Sequence, residues 1–134
     1  MRWVSKKPVR GCAVRVKVSF YHHYGIYVDD DHVIAFGLPD NTGIHPDKIA
    51  VVSTSIDVFL NGGMLEVGVP TLQEKIKQRS ARQVVAYAES AIGRNGYNIL
   101  HNNCEHFMNE CLTGEKVSHF VSGVREQIDM QLKN

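Results

Sequence analysis

Several things the 134-residue chain lacks set the first limits on what it can do. It has no run of 18 apolar residues, so no stretch is expected to cross a membrane as a helix. Cysteine is scarce. Cys12, Cys104 and Cys111 are an odd number with no C-x-x-C spacing, which argues against a disulfide framework and a cysteine-rich zinc site and points to a reducing, cytoplasmic setting. Charge of one sign is lacking as well. The net charge is +1 with seven histidines counted neutral, which makes no electrostatic case for nucleic acid. Met1-Arg2-Trp3-Val4-Ser5-Lys6-Lys7 is followed by no apolar stretch of the kind a secretory leader needs. No repeat or low-complexity segment occurs. The 43% hydrophobic and 22% charged fractions are those of an ordinary globular protein. The length predicts one domain over residues 1–134, with a core that needs no covalent staples.

Strand signals come early in the chain. Residues 1–11 are basic, are broken by Pro8 and Gly11, and are expected to be irregular. From Ala13 to Phe20, Val14, Val16, Val18 and Phe20 alternate with Arg15, Lys17 and Ser19, the pattern of a half-buried strand. His23–Val28 and Val33–Phe36 flank Asp29-Asp30-Asp31 as a hairpin. If Val28 pairs with His32, then His23, Gly25 and Tyr27 share a face with Val33, Ala35 and Gly37. Residues 37–48 carry turn formers throughout and read as a loop. Further strands are expected at Lys48–Ser53 and Met64–Val69, with a helical turn or two at Thr54–Leu60 between them, stopped by Asn61-Gly62-Gly63.

Helix signals come later. The polar Thr71–Arg79 segment reads as an exposed loop or helix. Ser80-Ala81-Arg82-Gln83 matches a capping box, and behind it Val84, Val85, Ala88, Ala91 and Ile92 form the core stripe of a helix that ends at Gly93. A short strand at Tyr97–Leu100 is possible on pattern. A helix follows from Cys104 to Thr113-Gly114, and a last amphipathic helix is expected over Ser118–Leu132. Strands before helices predict an α+β fold with a largely antiparallel sheet of about five strands.

The chemistry centres on Asn102-Asn103-Cys104-Glu105-His106-Phe107. Asn is a strong N-cap, and a thiol in a first helical turn feels the positive end of the helix dipole, which favours the thiolate. Such a nucleophile needs a base. His106 is excluded by phase, since at about 100° per residue it points about 200° away from Cys104. Met108 and Cys111 share the Cys104 face and continue the apolar stripe. The better base is His23, beside Gly25, whose missing side chain leaves room for a helix terminus or a substrate. His22 alternates to the other face of the strand, and His32 lies at the solvated turn. Asp29-Asp30-Asp31 lacks the Gly and Glu of a calcium loop, and the histidines fit no zinc spacing, so no metal is expected.

His23-Tyr24-Gly25-Ile26-Tyr27-Val28, followed 81 residues after His23 by the N-C-E-H-F box at Asn103–Phe107, resembles the lecithin:retinol acyltransferase-like family. Those proteins belong to the circularly permuted branch of NlpC-type, papain-like cysteine enzymes. The resemblance covers about residues 10–114 and extends to bacterial members in strand order and in the Asn61-Gly62-Gly63 turn. It implies a permuted papain-like architecture without cofactor or metal, and thiol acyl transfer or hydrolysis through an acyl-Cys104 intermediate. Cys104 would be the nucleophile, His23 the base, and the helix N-terminus the oxyanion donor, with Tyr21, which shares the parity of His23, as a further donor. It also implies an acyl-bearing lipid or small-molecule substrate.

One departure stands out. Family enzymes commonly carry a second polar residue, often His, that orients the catalytic imidazole; by the hairpin register that position is Ala35. A water, a backbone carbonyl, or a side chain such as His45 or Ser53 would have to substitute. The alternative to an enzyme is therefore a non-catalytic binding module or a weakened catalyst. Amide or peptide hydrolysis is a further alternative. Membrane-anchored members end in an apolar helix, whereas residues 118–134 include Arg125, Glu126, Asp129 and Lys133, so a soluble protein is expected. The sequence leaves the oligomeric state open.

Overall fold

Alternating apolar residues at 13–18 and 21–36 build the centre of the protein, seen in a computed structural model that describes residues 1–19, 21–37, 49–97 and 103–115. The fold is α+β. One open antiparallel sheet contains β1 (Arg2–Val4), β2 (Ala13–Val18), β3 (Tyr21–Asp29), β4 (His32–Phe36), β5 (Val51–Thr54) and β6 (Glu66–Val69), in the order β1-β6-β2-β3-β4-β5. The described helices are α1 (Ile56–Leu60), α2 (Leu72–Lys77), α3 (Ala81–Ser90) and α4 (Cys104–Thr113). Among the described residues, no helix is long and apolar enough to cross a membrane.

Both faces of the sheet are covered, and the period-2 alternation of the central strands sorts their side chains between two cores. Ala13, Ile26, Val28, Ile34, Phe36 and Val51 pack under α3 and α4 with Val84, Ala88, Phe107 and Cys111. Val14, Val16, Tyr27, Val33, Ala35 and Val67 pack with Phe59 of α1. The hairpin register is the expected one at Tyr27↔Val33 and Ile26↔Ile34, but an irregularity between Tyr27 and Asp29 sets Asp29, not Val28, opposite His32. The acidic turn is held locally. The Tyr27 hydroxyl donates to Asp30 at 2.6 Å, and exposed His32 bonds the Asp29 carboxylate at 2.7 Å.

Six strands replace the expected five because residues 1–11 are not all irregular. Arg2, Trp3 and Val4 pair antiparallel with Val69, Gly68 and Val67. Three residues are too few to show a period. What fixes them is tertiary: the Trp3 indole lies over Gly68, edge-on to Tyr24 at 5.6 Å, with the Arg15 guanidinium 4.6 Å from its centroid. Within Thr71–Arg79, Leu72–Lys77 form a helix, α2, started by a second capping box, Thr71 with Glu74. Ile92, placed on the α3 core stripe by spacing, is 47% exposed because the helix ends at Ser90. The expected strand at Tyr97–Leu100, the helix over 118–132, and His45, His101 and Phe20 fall wholly or partly outside the described residues.

Candidate active site

Asn103 and His106 explain why a helix starts at Cys104. The Asn103 side chain accepts from the His106 N–H at 3.0 Å, and the Asn103 N–H donates to Nδ1 of His106 at 3.0 Å. This is a reciprocal capping box with imidazole in place of carboxylate. Nδ1 accepts, so neutral His106 carries its proton on Nε2. His106 is thus structural, as helical phase requires. Cys104 becomes the first residue of α4, and the backbone N–H groups of Cys104 and Glu105 face its sulfur.

The first turn of α4 is driven into the protein. Cys104, Glu105, His106 and Phe107 are all buried. The thiol reaches β3 before its pairing with β4 at Ile26: Sγ–H donates to the His22 carbonyl oxygen at 3.8 Å, and the Tyr24 N–H faces the sulfur. Cys104 therefore sits against the backbone on either side of His23.

The structure thus brings Cys104 to the His23 segment, but through the main chain. No hydrogen bond joins the His23 imidazole to the thiol among the described residues. The imidazole is 5% exposed and stacks on Phe59, with ring centroids 4.8 Å apart at 28°. Its Nδ1 is buried and has no hydrogen-bond partner among the described residues. The room that Gly25 leaves is taken by Phe59 rather than by the helix terminus or a substrate: a Cβ on Gly25 would lie 3.0 Å from Phe59 Cε2, 3.1 Å from the Ile34 carbonyl oxygen and 3.2 Å from Ala35 Cβ. Gly25→Ala should therefore overpack this core and lower stability by about 1–3 kcal/mol, read as a fall in the urea midpoint. An unchanged midpoint would mean that the site yields freely.

Of the suggested substitutes for the residue at 35, Ser53 is not in place. Ala35 is opposite Val52 on β5, while Ser53 is exposed opposite Ile34. His45 lies outside the described residues.

Electrostatically the resting pair is neutral. Burial pushes the Cys104 thiol up, partly opposed by the N–H groups of Tyr24, Cys104 and Glu105. The thiolate expected from helix position alone is thus outweighed by desolvation. Burial pushes His23 down to about 4. Cys111 behaves as core, with its thiol pushed up to about 12, mainly by burial. His22 is half-buried, with Nε2 4.0 Å from the Glu66 carboxylate.

Three tyrosines feel the thiol: Tyr21, named above as a further donor, and Tyr24 and Tyr97, which sequence reasoning missed. Burial and then a charge on Cys104 push Tyr21 up. Burial, Cys104 and Tyr21 together push Tyr97 up to about 12. Burial, then Glu105, raises Tyr24, to which Cys104 adds. The parity of Tyr24, opposite to that of His23, was the available signal for its facing the α4 side. Tyr97, edge-on to Phe36 at 5.4 Å, gave none. Among the described residues, no group of three or more His, Cys, Asp or Glu side chains is arranged to hold a metal ion.

Comparison with known proteins places this arrangement in context. The family described as "Lecithin retinol acyltransferase" matches residues 6–117. Lecithin retinol acyltransferase of Rattus norvegicus is 27% identical over 149 residues, covering 94% of this chain and 63% of the relative. The Homo sapiens protein of the same name is 29% identical, covering 81% of this chain and 56% of the relative. Phospholipase A and acyltransferase 5 of Rattus norvegicus is 25% identical, covering 90% and 44%. The chain thus spans less than two-thirds of the length of these relatives.

Proposed function

This chain belongs to the lecithin retinol acyltransferase family, and from that membership and the geometry of α4 against β3 we propose that it transfers or hydrolyses acyl groups through an acyl-Cys104 thioester. The observation that carries the reading is the seat of the thiol. It is the first residue of a capped helix and lies against the backbone of the strand that holds His23. A helix N-terminus stabilises a developing oxyanion through its dipole and first-turn N–H groups.

In the proposed sequence the acyl donor is an ester or thioester of a lipid or small molecule. His23 accepts the thiol proton as Sγ attacks the carbonyl carbon. The tetrahedral oxyanion is met by first-turn amides of α4. The carbonyl–oxygen (or carbonyl–sulfur) bond to the leaving group breaks, and the leaving group takes the proton from His23. Water or a second hydroxyl or amine then attacks the thioester while His23 accepts its proton, and the thiol is regenerated. A neutral imidazole beside a neutral thiol suits this proton-transfer route better than a resting ion pair. The His23 ring closes on Sγ as substrate binds by sliding in its own plane along the stacked Phe59 face, as catalytic hydrogen bonds commonly tighten only in the complex.

The test is intact-mass analysis after mixing with a short-chain phospholipid or an activated ester. An acyl mass increment that maps to Cys104 and decays on adding acceptor is expected; its absence with every acyl donor class rejects the reading. A second reading, a binding module that has lost its chemistry, is favoured by Ala35 and by the unpartnered Nδ1 of His23. Under it, the rate of Cys104 alkylation follows the profile of a thiol raised by burial and is unchanged in His23→Gln.

A further inference from the structure

Acyl transfer needs the imidazole of its base held in one orientation. The position at which the family resemblance expects a polar partner is Ala35, which has only a methyl group, and Nδ1 of His23 is buried without a partner among the described residues. The ring nevertheless has a defined neighbour, the face of Phe59, stacked on it at 28°. We propose that Phe59 is the positioning residue for His23, an aromatic face doing in this protein what a hydrogen bond to the imidazole would otherwise do. The inference rests on the reading of His23 as the base.

Phe59 is fixed well enough for that task. It is the buried residue of α1 and is 5% exposed. Both ends of α1 are tied down: the Ser55 hydroxyl accepts from the Val58 N–H at 3.2 Å, the Ile56 N–H donates to the Asp30 carbonyl at 2.9 Å, and Asn61 closes the helix in the left-handed region. Offset-stacked rings hold each other in angle as well as distance, which point contacts between aliphatic groups do not.

The two small residues on the neighbouring strands make this possible. The point where a Gly25 Cβ would stand is 3.0 Å from Phe59 Cε2 and 3.2 Å from Ala35 Cβ. The phenyl edge thus occupies space that a side chain at 25, or a larger one at 35, would claim. Gly25, Ala35 and Phe59 then form one arrangement: the loss of a polar side chain at 35 is what admits the phenyl ring. Phe59 belongs to the core on the α1 side, separate from the one that holds Cys104, and acts only through His23.

The experiment compares Phe59→Leu with Phe59→Tyr in the full chain. It measures ester turnover and, independently of activity, the ring nitrogen signals of His23 by NMR across pH. Phe59→Leu is expected to lower kcat about tenfold with KM unchanged and to move His23 to averaged tautomers that titrate nearer the free value. Phe59→Tyr, which keeps the face, should stay within about twofold of the parent in both. Unchanged His23 signals and kcat in Phe59→Leu overturn the proposal, as does a Phe59→Tyr variant that is folded and behaves as Leu is expected to. Should Phe59→Leu not fold, Phe59→Tyr and Phe59→Trp carry the comparison, with retained His23 signals expected and averaged signals overturning it. If Cys104→Ala leaves turnover intact, the acyl-transfer reading fails, while the NMR comparison still reports whether Phe59 holds the ring.

Discussion

Cys104→Ala is expected to abolish the acyl adduct and to lower ester turnover by at least about 10³-fold, because removing a covalent nucleophile takes away the whole two-step route rather than one stabilising contact. The loss should not come from unfolding. The side chain is small, and the hydrogen bond its thiol donates to the His22 carbonyl is a long one. The shift in stability should stay within about 1 kcal/mol, the range for replacing a small buried group without leaving a charge or a large cavity. Cys104→Ser sharpens the prediction. A hydroxyl is a far poorer nucleophile than a thiol unless a well-oriented base removes its proton, and Nδ1 of the proposed base, His23, has no hydrogen-bond partner among the described residues. Serine should therefore rescue almost nothing. Turnover at saturating ester, with urea unfolding run in parallel, decides the matter; a folded Ala variant that matches the parent rate would end the case for Cys104.

What made Cys104 legible was local. An asparagine, a thiol and an apolar stripe in sequence describe a capped helix start, and the helix begins at that residue. The facing hairpin was legible for the same reason, since its register follows from a short turn and period-2 alternation. What stayed hidden depends on contacts between distant segments. β1 is three residues long and exists because β6, more than 60 positions away, pairs with it. The stacking of His23 on Phe59 joins a central strand to a short helix 36 positions later, and a phenylalanine in an amphipathic turn looks like any other core residue. The protonation state of the thiol was also out of reach. The helix dipole can be read from position, but the burial that outweighs it here depends on how deeply α4 is driven onto the sheet. The departure at Ala35 was visible in the sequence; the ring that fills the gap was not.

His23→Gln should remove both the base and an acid-sensitive element of the fold, and these effects separate by pH. Loss of a positioned base costs about 10²–10⁴-fold in rate, so turnover at neutral pH should fall by that amount. The stability effect has the following sign. His23 is neutral in the folded protein and is pushed down to about 4 by burial, against 6.5 when free. Between those values the unfolded chain binds a proton that the folded chain does not, so stability rises with pH across that window. The folded state keeps its full stability above about pH 6.5 and loses it as pH falls toward 4, by about 3 kcal/mol in all for this residue. Below pH 4 both states are protonated and the loss levels off. His23→Gln lacks the titration, so its urea midpoint should change less between pH 7.5 and pH 4.5 than that of the parent, even if the two differ in absolute stability. Parallel pH dependence in parent and variant would mean that His23 is not held neutral by burial. The same depressed value keeps the imidazole able to accept a proton well below pH 6, so the acid limb of parent turnover should fall nearer pH 4 than the ordinary histidine range. A limb centred at 6.5 would place the working imidazole in water, outside the pocket formed by Phe59, Gly25 and Ala35.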